Sequence, residues 1–182
     1  MPNEDSYFTK MRGVQSCPPR TNLSEIFWSW LGAFLGIGLV GWLDQHLLSP
    51  RDQALIIGSF GASAVLIYGA VQSPLAQPRN LLGGHFISAL IGVSCYKLLP
   101  EAPWLAAALA VSLAIACMHA TTTLHPPGGA TALIAVIGSE KLHALGYFYA
   151  FVPVLLGACL MLLVALAVNN IPASRRYPLW WF

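Results

Sequence analysis

The chain has 182 residues, of which 57% are hydrophobic and only 9% charged, with a formal net charge of +2. Ordinary globular domains carry about 25% charged residues, so a soluble body of this composition could not cover its surface. So small a positive balance also lacks the dense basic patch that nucleic acid requires. What remains is an all-α polytopic membrane protein, with room for about six segments at ~20 residues each.

Residues 1–24 are polar, hold Pro18 and Pro19, and lack the apolar core of a secretory signal; they are expected to form a cytosolic tail. The membrane domain is expected over residues 25–172, followed by an interfacial tail, 173–182, carrying Arg175, Arg176, Trp180 and Trp181. The first predicted span runs from Ile26 to Leu43, with Trp28 and Trp30 at one end and Trp42 at the other, as interfacial aromatics are placed. Gly32 and Gly36 make a G-x-x-x-G, a helix-packing motif through which a homodimer is conceivable. A polar turn, Asp44 to Asp52, leads to a second apolar segment, Gln53 to Val71, interrupted by Gly58, Gly61 and Gly69. After a loop from Gln72 to Asn80, the third span is predicted over Leu81–Leu98 and opens with Gly83-Gly84-His85. A turn containing Pro100 and Pro103 precedes the fourth span, Trp104 to Thr121.

The helical pattern then breaks at Thr121-Thr122-Thr123-Leu124-His125-Pro126-Pro127-Gly128-Gly129. A helix from Pro127 to Gly138 covers only ~18 Å of a hydrocarbon core ~30 Å thick, so it cannot cross alone. The last span is predicted over Tyr147–Val168, with Asn169 and Asn170 ending it. If the segment after His125 completes a crossing, Lys10, Arg12, Arg20, Arg79, Arg175 and Arg176 share one side, opposite Arg51, Lys97 and Lys141. The positive-inside rule then puts both termini in the cytoplasm; a re-entrant course would leave the two sides nearly equal.

The six segments fall into two groups of three. Gly61-Ala62-Ser63-Ala64-Val65-Leu66 in the first group echoes Gly129-Ala130-Thr131-Ala132-Leu133-Ile134 in the second. Three crossings per unit would invert the second unit relative to the first, a recurrent transporter design. The bland alternative is coincidence, because small-residue strings are frequent in membrane helices.

In the motif itself, the prolines suit a first helical turn. Gly128, Gly129 and Ala130 would offer backbone N–H groups at a helix end carrying roughly +0.5 charge. All seven acidic residues fall in the tail or loops on this reading, which argues against a carboxylate-based cation site. The polar groups left at depth are His85, His119, His125, Ser59, Ser63 and Thr121 to Thr123, a set suited to a small anion or neutral solute. The candidate substrate-binding residues are therefore His125, Pro126, Pro127, Gly128, Gly129, Ala130 and Thr131, with Gly61, Ser63, Arg79, Asn80, His85 and His119. Against this stand a plain kink whose amides bond a neighbouring helix, and an Arg79 that serves only as an anchor. Two other classes compete: an intramembrane metal-dependent enzyme using His119 and His125, and a structural subunit whose helices serve partners. No enzyme chemistry, cofactor or metal is expected, since two histidines without acids or thiolates are a poor zinc set and the four cysteines are scattered.

The same residues carry a resemblance. The segment His125-Pro126-Pro127-Gly128-Gly129-Ala130-Thr131-Ala132-Leu133, the segment Ser73-Pro74-Leu75-Ala76-Gln77-Pro78-Arg79-Asn80 with Gly83-Gly84-His85, and the tail Arg175-Arg176-Tyr177-Pro178 with Trp180 resemble the HPP family of integral membrane proteins. Plant plastid members of that family are described as nitrite transporters. The resemblance thus implies transport of a small anion, with nitrite the leading candidate, and a bacterial inner membrane is expected ahead of a plastid envelope.

Overall fold

A computed structural model describes residues 16–47 and 57–182. Within them every regular element is helical. Lys10, Arg12, Arg51, Asp52 and the start of the second predicted segment lie outside the described residues.

The first helix, α1, spans Leu23–Leu47. The second, α2, spans Gly58–Ala64 and continues as a π-helical turn over Val65–Gly69. A short 3-10 turn, Pro74–Ala76, precedes α3, Pro78–Leu98. Then come α4, Pro103–Ala120, and α5, Pro126–Ile137. A short α6, Glu140–Leu145, runs through a 3-10 turn, Gly146–Ala150, and a π turn, Phe151–Leu155, into α7, Leu156–Val168.

The punctuation is local chemistry. Pro78, Pro103 and Pro126 each open a helix at the position where a missing N–H costs nothing. Ser73 and Ser139 cap the turns that follow them, accepting from the amides of Leu75 (3.2 Å) and Leu142 (3.4 Å). The α4 helix ends in a Schellman motif: Thr123 N–H reaches the Met118 carbonyl at 2.9 Å and Thr122 N–H the His119 carbonyl at 3.2 Å. The left-handed position of that motif, φ +55°, is held by Thr122 where glycine is the usual occupant.

Four stretches are long and apolar enough to cross a bilayer: Leu23–His46, Pro78–Leu98, Pro103–Ala120 and Glu140–Val168. The other two apolar segments are short. The helix Gly58–Gly69, like Pro126–Ile137, covers only ~18 Å at 1.5 Å per residue, so the second predicted segment contains no full-length helix among its described residues. The last stretch is not one regular helix, because Val152 leaves the helical region (φ −132°, ψ 118°) and Pro153 has no N–H to give.

One end of the bundle gathers the start of α1, the end of the α2 turn, the starts of α3 and α5 and the tail. There Arg79 donates to the Thr121 carbonyl at 2.8 Å, and Arg175 joins Glu25 to the carbonyl of Tyr68. At the opposite end, Tyr96 stacks on His143 and the Lys97 ammonium lies 5.5 Å from the Tyr147 ring. The chain therefore passes from beside the first turns of α3 at Leu124 to beside its last turn at His143.

Packing is close where side chains are small. Ala106, Ala110, Ala114 and Met118 form the buried stripe of α4. A Cβ on Gly92 would lie 2.5 Å from the Ala132 carbonyl, and one on Gly128 2.9 Å from the Gly84 carbonyl, so α3 and α5 meet backbone to backbone. Gly32 and Gly36 lie under the Tyr68 ring, so the G-x-x-x-G packs α1 onto its own chain and is not available as a dimer seam. Large apolar side chains, among them Trp30, Phe34, Ile115 and Leu163, face outward. That is the surface of a protein whose solvent is lipid.

Candidate functional site

The two short helices meet inside the bundle and run antiparallel: Ser63 of α2 faces His125 at the start of α5, while Ser59 faces Thr131 one and a half turns further on. His85, from α3, fills the space between them. Five side chains are thereby joined in one chain of hydrogen bonds, and all five are fully buried.

His125 Nδ1 lies 2.8 Å from the Leu75 carbonyl, and His125 Nε2 lies 2.9 Å from Ser63 Oγ. The same Ser63 oxygen is 2.7 Å from His85 Nε2. On the other side of that ring, His85 Nδ1 is 2.7 Å from Thr131 Oγ1. Thr131 in turn is within 2.8 Å of Ser59 Oγ and 3.3 Å of the Pro127 carbonyl. Ser63 and Thr131, the hydroxyl positions of the two echoing segments, thus grip opposite nitrogens of one imidazole. Phe60 meets His85 edge-on, and Tyr149 donates to the Thr131 carbonyl at 3.2 Å. Among the described residues no buried side-chain nitrogen or oxygen lacks a hydrogen-bond partner. Such closure is needed at membrane depth, where water cannot satisfy a polar group.

The structure sorts the residues singled out in the sequence. It brings His85, His125, Ser63 and Thr131 together. Pro126 and Pro127 start α5 and contribute no amide hydrogen. The Gly128 amide is spent on the His125 carbonyl at 2.8 Å. The amides of Gly129 and Ala130 belong to the first helical turn, whose acceptors four residues back are the carbonyls of His125 and Pro126. An anion cradle made of free amides is therefore not the arrangement at this helix start; the polar face of the site is its side chains. Gly128 serves packing instead, since a Cβ there would lie 2.8 Å from Ser88 Oγ.

Arg79 and Asn80 act on the loop before the motif, through the Thr121 carbonyl and, for Asn80 Nδ2, the Leu124 carbonyl at 2.9 Å. They hold His125 in place and do not join the cluster. Gly61 is exposed and a Cβ there would meet nothing within 4 Å, so it lies outside the site. His119 is exposed as well. It sits one residue past Met118 in the buried stripe, about 100° round the helix. It therefore turns away from the core in which His125 is buried, and the metal-dependent enzyme reading loses its ligand pair. Among the described residues no group of three or more His, Cys, Asp or Glu could hold a metal ion.

Two features lay beyond the sequence reading. α1 continues to Leu47, so Asp44, assigned above to a polar turn, is a buried carboxylate within a helix. The tail, besides, is knotted to the bundle through its side chains. Arg175 bonds Glu25 and Ser29 at 2.8 Å each, the Glu25 carbonyl at 2.9 Å, Asn169 at 3.2 Å and the Tyr68 carbonyl at 3.3 Å. Asn169 does more than end α7, since its amide also reaches the Ile67 carbonyl at 2.8 Å. Tyr177 donates to the Ala76 carbonyl at 2.8 Å, and burial pushes its phenol well above the usual range, keeping it a donor. A cavity of about 350 Å³ opens beside this knot, lined by residues that include Glu25, Gln72, Ser73 and Arg175. It does not reach the histidines.

Short apolar helices meeting at a buried polar cluster, within longer helices that face lipid, define an integral membrane protein of the broken-helix class. More particularly, the profile described as "HPP, transmembrane region" matches residues 18–178, and the chain belongs to the HPP family. The match extends beyond the expected domain, 25–172, into the tail knot. Two transmembrane proteins of Dictyostelium discoideum are 48% and 47% identical over 97% of this chain. The chain spans 57% and 63% of the length of these curated relatives. No solved structure matches.

Proposed function

We propose that the chain is a transporter or channel for a small inorganic anion, nitrite the leading candidate, with the Ser63–His85–Thr131–His125 cluster as the place where the solute sheds its water. The observation that carries this reading is the cluster itself. Ionisable groups inside a membrane protein are expensive to bury and commonly mark solute or proton pathways. This one lies where two half-length helices meet, which is where broken-helix transporters hold their solute.

The chemistry suits an anion better than a cation. The hydrogen bonds that join the cluster are made by imidazole nitrogens, hydroxyls and backbone carbonyls. An imidazole gains an N–H donor and a positive charge with one proton. Nitrite is small enough to replace one hydroxyl link, and a protonated ring would offset its charge. The nitrite transport described for plastid members of the family agrees with this. The end bearing Arg79, Arg175 and Arg176 would face the cytoplasm by the positive-inside rule.

Flux of nitrite, nitrate, chloride and formate into proteoliposomes tests the reading, under a pH gradient and separately under a voltage. Nitrite uptake above that of protein-free vesicles is expected. No movement of any of the four under either driving force would overturn it.

A further inference from the structure

The proton bookkeeping of the cluster is unusually constrained. A carbonyl only accepts, so His125 Nδ1 must carry a proton to bond Leu75 at 2.8 Å. In a neutral ring His125 Nε2 is then bare and takes the single proton of Ser63. Ser63 has no second proton, so its 2.7 Å bond to His85 requires His85 Nε2–H. A neutral His85 therefore presents a bare Nδ1, which takes the Thr131 proton at 2.7 Å and leaves Thr131 none to give to Ser59 or to the Pro127 carbonyl. The two histidines hold opposite tautomers, and each choice follows from the one before.

Now let one proton enter at the Ser59 end. Ser59 passes a proton to Thr131 as Thr131 gives its own to His85 Nδ1. His85 releases its Nε2 proton to Ser63, and Ser63 passes its own to His125 Nε2, each along a bond already made. His125 is then cationic, His85 is the Nδ1–H tautomer donating to Thr131, and Thr131 donates to Ser59 at 2.8 Å or to the Pro127 carbonyl at 3.3 Å. The bond to Leu75 keeps its direction, the three bonds from His125 Nε2 to Thr131 reverse, and the cluster has gained one positive charge.

We propose that His125, Ser63, His85, Thr131 and Ser59, linked end to end between the Leu75 and Pro127 carbonyls, form a one-proton switch. A second proton has no place: with both rings cationic, Ser63 would face two N–H donors with nothing to receive its own proton, and the ring centroids are only 5.0 Å apart. The proton comes from water and returns to it. Resting on the transport reading above, the switch makes the proton the coupling ion, one per anion.

The charged and titratable groups on the surrounding elements make contacts of their own, Asp44 being the buried carboxylate of α1. On α3, Arg79 is engaged with the Thr121 carbonyl and Lys97 lies at the far end beside Tyr147. His119 of α4 is exposed, and Cys95 of α3 belongs to the α4-facing core. Tyr149 bonds the Thr131 carbonyl and Tyr68, beyond α2, the Met161 carbonyl; α2 and α5 carry no other titratable side chain.

The test is nitrogen-15 NMR of histidine-labelled protein in lipid nanodiscs, with nitrite flux measured in parallel. At about pH 8 the expected result is Nδ1–H for His125 and Nε2–H for His85. On acidification, one proton should enter the pair, and His85 should change to Nδ1–H at the same midpoint at which His125 becomes cationic. In Ser63→Ala the two changes should separate; if that variant does not fold, the wild-type tautomers still decide. Identical tautomers, two independent protonations, or no uptake down to about pH 4 would overturn the switch. Nitrite flux indifferent to the pH gradient would overturn proton coupling and leave transport standing. Absent flux with the expected tautomers would overturn transport and leave the switch.

Discussion

Removing the Ser63 hydroxyl is the sharpest single perturbation of the cluster. Ser63→Ala breaks two buried bonds, of 2.7 Å and 2.9 Å, and leaves a nitrogen of each imidazole facing a methyl group. In membrane proteins a side-chain hydrogen bond averages about 0.6 kcal/mol, because the unfolded chain in lipid also finds partners. A buried group stranded without a partner costs more, about 1–3 kcal/mol. Two stranded nitrogens among fully buried neighbours place the loss at about 2–6 kcal/mol. Denaturant titration in mixed micelles measures it. Ser112→Ala is the control, since that serine is exposed and bonds only the nearby Leu109 carbonyl at 3.2 Å. A Ser63→Ala protein within about 0.5 kcal/mol of the control would refute the hydrogen-bonded cluster.

Other expectations follow from single contacts. Gly84→Ala should destabilise by at least about 1–3 kcal/mol, since its Cβ would lie 2.6 Å from that of His125 and 2.8 Å from the Thr123 carbonyl, whereas Gly61→Ala, in open space, should not; thermal unfolding separates them. Thr122→Gly should stabilise by about 1 kcal/mol, read in the same assay, because it relieves the left-handed φ of +55°. Arg175→Ala should cost up to about 3 kcal/mol; its side chain is 3% exposed and that of Glu25 26%, so the stranded carboxylate is partly solvated. His119→Ala should leave nitrite flux unchanged, while His125→Ala should abolish it.

Much of this fold was legible because apolar runs, prolines and glycines speak locally. The long spans, the short helix after His125 and the opening prolines were all readable that way. Ser63, Thr131, His85 and His125 could be singled out because a polar group inside an apolar helix must find a partner. Which partner it finds is a long-range matter. Leu75 contributes a backbone carbonyl, and Tyr149 reaches across from the last stretch; neither leaves a sequence pattern. The amides of Gly128 to Ala130 looked free because the helix start was visible and its acceptors were not. His119 was misplaced for a reason the sequence did contain: the four-residue spacing of Ala106, Ala110, Ala114 and Met118 fixes the buried face and excludes it. In sequence the Asp44 carboxylate looks like the end of a span, yet α1 carries it inward.

The most direct measurement of whether a solute passes the cluster is thiol labelling at its centre. Ser63→Cys would be made in protein whose own cysteines, Cys17, Cys95, Cys117 and Cys159, are replaced by serine or alanine. A small thiol reagent should then block nitrite flux, and nitrite should slow the reaction. Complete modification with flux unchanged would contradict a pathway through His85, Ser63 and His125.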